Sequence, residues 1–279
     1  MKLKAKVAFI VSTVDKASLN MAERILEKTE NYEIKSVSKP IVKAFFLEKL
    51  SAIITYLPDD VIYINYIDKY FNVDQYIFLS RHSSLAKIKS LTVHHTGNVT
   101  NELAYGANPK ELCYANPPLT KAILLNIGKY AKKYGLSKEF EIVYEATHHG
   151  PTNLSKPLVF VEIGSSEEEW IREDAANVNA DAVIDALKNS CECVSVLGFG
   201  GGHYSRKHTK YAFESNVCYS HIFSKHTAKH LTRDIIDQAI RKTVTKVEKF
   251  VIEKKGVPGK IKGLILSYAE ERGYEVEYI

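Results

Sequence analysis

Cysteine is scarce in this chain, with four (Cys113, Cys191, Cys193 and Cys218) among 279 residues. That is too few for a disulfide framework at this size, and with no C-x-x-C pair a cysteine-built zinc ribbon is excluded. The expectation is core or edge thiols, with Cys191 and Cys193 close together where a strand begins. Long apolar runs are also lacking: none approaches the ~20 residues of a membrane span. The opening stretch MKLKAKVAFIVSTVDK has only a short apolar run and no small-residue cleavage site, so neither a signal peptide nor an anchor is expected, and a cytoplasmic protein is. Glutamine is rare while Lys, Glu, Ile and Tyr are abundant, the balance expected of a heat-tolerant protein that avoids labile residues and uses ion pairs. No H-E-x-x-H helix, G-x-S-x-G elbow or Walker lysine is present, which leaves out three common routes to hydrolysis and nucleotide binding.

The net charge of +5 is unevenly placed. Residues 225–262 carry eleven Lys/Arg against four Asp/Glu, an excess of seven, which leaves the rest of the chain at −2. A 3.6-residue apolar period from Ile235 to Val251 reads this segment as a basic helix, with Lys242 and Lys246 beside its polar face. Such an excess suits a polyanion such as nucleic acid, or equally a solvated helix face.

The recurring unit is an apolar, β-branched run that ends in a polar or glycine-rich loop and is often followed by helical periodicity. KVAFIVSTVDKASLNMAERILEK reads as strand, loop and helix, with Ser18 or Asn20 near the N-cap. Further strands end in RHSS (Arg81, His82), HHTGN (His94, His95), ATHHGPT (His148, His149), EIGSS (Glu162, Gly164, Ser165) and GGGHYS (Gly200, Gly201, Gly202, His203). Strands alternating with helices predict an α/β fold: three α/β/α layers about a mostly parallel or mixed sheet, in one unit over residues 1–279 or two closely packed subdomains. In such sheets ligands bind beyond the carboxyl ends of the strands, so the loops predict one shared site.

Neutral imidazoles with a carboxylate and an open coordination position make a hydrolytic zinc arrangement. His148, His149 and Glu162 are the candidate catalytic residues, and His95, His149 and His203 the candidate metal ligands. Either histidine pair is equally readable as a capped turn with one imidazole on the backbone. The N–H groups of Gly200 to Gly202 and of the Gly164–Ser165 turn suit a phosphate or oxyanion. Arg81, His82, Lys242 and Lys246 complete the candidate substrate contacts.

Taken together and in this order, SRHSS, HHTGN, EATHHGPT, EIGSSEEEW and GFGGGHYS resemble the archaeal and plant type of D-aminoacyl-tRNA deacylase. The resemblance runs from the first strand to about His221 and fades over the last ~50 residues. It implies hydrolysis of the ester between a D-amino acid and the terminal ribose of tRNA, a Zn2+ requirement, and a core like those of phosphorylases or peptidyl-tRNA hydrolases. The partner it implies is a tRNA acceptor end, bound by a monomer or small homo-oligomer. Three other readings remain open on the residues alone: a zinc peptidase or amidohydrolase, a nucleoside phosphorylase-like enzyme, and a non-catalytic tRNA-binding module.

Overall fold

A computed structural model describes residues 2–189 and 191–279. The apolar β-branched runs become strands, and Val7–Ser12, Ala52–Leu57 and Leu158–Ser165 are buried at every position. Eight strands form one sheet in the order Glu141–Tyr144, Ser90–His94, Leu158–Ser165, Gln75–Ser83, Val7–Ser12, Ala52–Leu57, Lys43–Leu47 and Asn31–Glu33. The four strands from Leu158–Ser165 to Ala52–Leu57 are parallel. Ser90–His94 runs antiparallel to Leu158–Ser165, and Glu141–Tyr144 follows its direction.

The helices Lys16–Glu27, Pro117–Lys133 and Glu173–Lys188 cover one face, packing on side chains such as Val159, Val161 and Ile163. Each fully buried aliphatic side chain of this kind contributes about 1.5–3 kcal/mol. Asp15, rather than Ser18 or Asn20, caps the first helix, accepting the Ser18 N–H at 3.0 Å. The opposite face carries Tyr76, Phe78, Leu158 and Phe160 under 3-10 turns and coil from residues 61–73. The α/β class and the mixed central sheet are those expected.

The C-terminal third builds a second sheet, in which Val217–Phe223, Val194–Phe199, Val247–Ile252 and Glu275–Tyr278 lie in that order, all parallel. The single basic helix expected over 225–262 is not formed. Arg233–Arg241 is helical, but from Val247 the chain is a strand, and Gly259–Arg272 is a separate helix. The apolar positions Val247 and Val251 that extended the helical period are instead core residues of that strand. A second correction concerns cysteine: Cys193 and Cys218 are disulfide-bonded, and only Cys113 and Cys191 are free. Residues 191–193 precede a strand that pairs beside Val217–Phe223, which brings the two sulfurs together. No helix among the described residues is long and apolar enough to cross a membrane.

Candidate active site

Strand alternation on the open face of the large sheet builds the floor of a cleft. Register places Phe160 opposite His94 and Glu162 opposite Thr92 on one side, with Glu162 beside Ser80 and Gly164 beside His82 on the other. Side chains two apart share a face, so along Leu158–Ser165 this face passes from Leu158 and Phe160 to Glu162 and then Gly164. An apolar stack, Phe78 on Phe160 with centroids at 4.8 Å, gives way to His94 lying 5.3 Å from Phe160.

The seam between the two sheets completes the site. After Tyr144 the chain leaves the large sheet: the Glu145 N–H donates to Val93, but that of Ala146 donates to His203, in the loop after Val194–Phe199, and that of Thr147 to Ile222 of the second sheet. This carries Glu145, His148 and His149 over the floor. His149 sits at φ 38°, and a side chain at Gly150 would run into the carbonyl of Gly106. Gly150 is therefore the residue that lets the 104–107 turn close over this loop.

The resulting cleft encloses about 470 Å³, with Arg81, His82, His148, His149, Glu162 and His203 among its walls. Two buried carboxylates organise it. Glu145 lies 3.0 Å from His82 Nδ1, 2.8 Å from His203 Nε2 and 3.5 Å from His148 Nε2. Glu162 lies 3.5 Å from His82 Nδ1 and 3.8 Å from His94 Nε2. Burial opposes the ionised form of both carboxylates, and Glu145 further opposes that of Glu162. The imidazoles outweigh this, holding Glu145 well below the usual range and Glu162 at about 2. Burial likewise pulls His82 down, but Glu145 and Glu162 lift it to about 10. His148 and His149 are lowered, by burial first and neighbouring imidazoles second, His149 to about 4.

His94, His148 and His149 form a group suited to a metal, their facing nitrogens all within 4.8 Å of one another. The Nδ1 atoms of the three meet backbone carbonyls, of His95 at 3.2 Å, Ala146 at 2.8 Å and Gly150 at 2.7 Å. A carbonyl only accepts, so each Nδ1 carries a proton, and the Nε2 atoms of His148 and His149 offer lone pairs to the cluster. Burial pulls His94 down, but Glu162 beside its Nε2 raises it above the usual range, so a metal there would displace a proton. His94 Nε2 and both Glu145 oxygens are buried without an aligned hydrogen-bond partner, although imidazole nitrogens stand close to the carboxylate. Orphaned acceptors converging in this way are what a divalent cation would satisfy. Two further triads, His82–Glu145–His203 and His94–Glu145–Glu162, share the same region.

Several expected contacts lie elsewhere. His95 is not with His149 and His203: alternation turns it to the other face, where Nδ1 meets the Ser220 carbonyl at 2.5 Å and Nε2 meets Thr120 Oγ1 at 2.8 Å. His149 and His203 themselves fall in different triads. Ser165 is buried and donates to the Ile88 carbonyl at 2.6 Å. Gly164 acts by its lack of a side chain, since a Cβ there would stand 2.6 Å from Ser90 Oγ and 3.0 Å from His82. Lys242 is turned away from the cleft, donating to the Leu112 carbonyl at 2.6 Å near Glu111. Lys246 is exposed between helix and strand, and Gly200 to Gly202 flank the cleft without lining it. Arg81 is in the wall, paired with Asp60 at 2.6 Å and with buried Asp15 at 3.6 Å. Sequence reasoning passed over Glu145, His94, Asp15 and Asp60. For Glu145 a signal existed: a carboxylate at the end of an apolar strand, three residues before His148.

A family model described as D-aminoacyl-tRNA deacylase matches residues 69–277. The D-aminoacyl-tRNA deacylase of Staphylothermus marinus is 41% identical over 273 residues, covering 97% of this chain and 98% of that protein. That of Methanocaldococcus jannaschii is 35% identical over 282 residues, covering 98% and 100%. A crystal structure of a conserved protein of unknown function superposes with a TM-score of 0.89 at 31% identity, covering 98% of this chain and 95% of that one.

Proposed function

The chain belongs to the D-aminoacyl-tRNA deacylase family, and from that premise we propose that it hydrolyses the ester linking a D-amino acid to the terminal ribose of tRNA, releasing both. The observation that carries a hydrolytic reading is the cluster of five histidines (82, 94, 148, 149 and 203) around Glu145 and Glu162 at the cleft floor. A peptidase or phosphorylase reading has no comparable support.

His203 lines the cleft with its side chain 43% exposed, and its Nε2 rests 2.8 Å from Glu145. In this reading His203 takes the proton of the attacking water and returns it to the departing ribose oxygen, while Glu145 fixes the ring and stabilises its charged form. The charged His82 between Glu145 and Glu162 keeps both carboxylates ionised and in place. His94, His148 and His149 are the residues that would hold zinc. When bound, such an ion polarises the ester carbonyl and supplies positive charge against the developing oxyanion. Rejection of the L-ester follows from shape, because the two enantiomers exchange side chain and hydrogen at the Cα and one arrangement meets the wall.

The test is deacylation of paired D- and L-tyrosyl-tRNA. His203→Ala and Glu145→Gln are each expected to lower kcat on the D-substrate by about 10²–10⁴-fold, and His148→Ala with His149→Ala to remove bound metal. Wild-type rates in all of these would sink the assignment. Chelation followed by metal analysis addresses zinc by itself: full activity in metal-free protein would remove it from the mechanism.

A further inference from the structure

The excess positive charge has a location that the sequence did not show. The strands Val194–Phe199, Val217–Phe223 and Val247–Ile252 are parallel, so the segments that follow them emerge at one end of the second sheet. Residues 200–207, 224–230 and 253–262 contain eight Lys/Arg and one Asp/Glu, an excess of seven in a chain whose net charge is +5.

These segments are in contact. The Lys225 N–H donates to the Gly201 carbonyl at 2.9 Å, and the Gly200 and Glu253 N–H groups donate to Phe223 and Phe199. Gly256 packs so closely that a Cβ on it would stand 2.5 Å from Gly201 N, and Gly200 and Gly201 adopt φ of 100° and 83°. Glycine is required at all three for the loops to meet. Lys207, Lys225, Lys229, Lys254, Lys255 and Lys260 are exposed on them, and the lone acid, Glu253, stands 3.7 Å from Lys207. His203, in the cleft wall, is two residues from Gly201, a reach of roughly 7 Å at most.

We propose that this lysine-bearing end of the second sheet holds the phosphate backbone of the RNA acceptor stem, next to the His203 side of the cleft, so that the single-stranded terminus enters the cleft from there. The proposal rests on the deacylase reading above and relocates its RNA contact from Lys242 and Lys246. Double-helical RNA offers phosphates and 2′-hydroxyls as its accessible features, so a set of lysines without base-reading side chains is the chemistry that fits a stem common to all tRNAs. Each lysine–phosphate contact releases condensed counterions and adds about 0.7–0.9 to the slope of log affinity against log salt.

The experiment uses the full chain and two D-tyrosyl esters, one on tRNA and one on adenosine, across a salt series. For Lys225→Ala/Lys229→Ala and Lys254→Ala/Lys255→Ala, KM for the tRNA ester is expected to rise about tenfold or more at physiological salt. The salt slope is expected to fall by roughly 1–2. Hydrolysis of the adenosine ester, which has no stem, is expected to change less than twofold. Lys132→Ala/Lys133→Ala on the far helix and Lys246→Ala serve as comparisons, with slopes expected to match wild type. An unchanged slope in both loop variants, or equal losses on both esters, would overturn the proposal. Failure of the wild type to hydrolyse either ester would instead count against the deacylase reading, a result separable from the first two because RNA binding is still readable by filter retention.

Discussion

At the residue scale the site turns on Glu145. It is fully buried, yet burial alone would favour its protonated form; His203 and His82 reverse that. Glu145→Gln keeps the shape and removes the charge, so His82 loses its nearest reason to be protonated. Along with the loss of activity, the imidazole resonances of His82 are expected to titrate at lower pH in the metal-free variant, followed by NMR. Gly150→Ala makes a different point. The added methyl meets the Gly106 carbonyl, a backbone atom that cannot swing aside. A stability loss of ~2 kcal/mol or more is expected in urea unfolding, with an opened 104–107 turn. Retention of wild-type stability would show that the two loops part readily.

At the element scale, strand direction decides how the histidines meet. The loops after Gln75–Ser83 and Leu158–Ser165 leave one end of the sheet, while those after Ser90–His94 and Glu141–Tyr144 leave the other. The expectation of one shared carboxyl end was therefore wrong for HHTGN and ATHHGPT. The cluster gathers over the sheet's face, with His94 and Glu162 presented from within strands. The disulfide belongs to this scale as well. It closes a separation of 25 residues and ties the entry of Val194–Phe199 to Val217–Phe223. Cys193→Ser is expected to cost about 3 kcal/mol by loop-closure entropy, and a reducing agent should lower the wild-type Tm but not that of the variant. Equal Tm shifts in both would place the effect elsewhere.

At the scale of the whole molecule, the second sheet packs against the first through a common core that includes Val196, Tyr219 and Val251 beside Val161 and Ile163. Buried imidazoles within this core shape its acid response. His95 and His208, outside the cleft, are both lowered by burial to about 4, from 6.5 in the unfolded chain. Both are neutral in the native state, so their contribution is intact above pH 6.5 and is lost as pH falls towards 4. Each can account for up to about 3 kcal/mol over that window. Unfolding free energy in urea should therefore drop between pH 6.5 and 4.5, before carboxylates titrate, and His208→Asn should flatten the slope. A pH-independent free energy in that range would contradict the burial of these rings.

Local pattern was enough for the alternation of strands and helices, and for singling out His82, His148, His149, Glu162 and His203, which line one cleft. Periodicity and apolar runs are properties of neighbouring residues, and short-range forces act on them directly. The sequence also carried the family resemblance, through motifs whose order along the chain survives without any knowledge of contacts. What only the tertiary structure decided were matters of pairing across distance. Strand register selected His94 over His95, since alternate side chains face opposite sides and either register reads alike in sequence. The seam between the sheets made Glu145 the hub, while the packing of strands side by side within the second sheet turned a continuous helical period into helix and strand and joined Cys193 to Cys218. The same packing moved the positive charge from one imagined helix face to three loops beside the cleft, because parallel strands deliver distant segments to a common end.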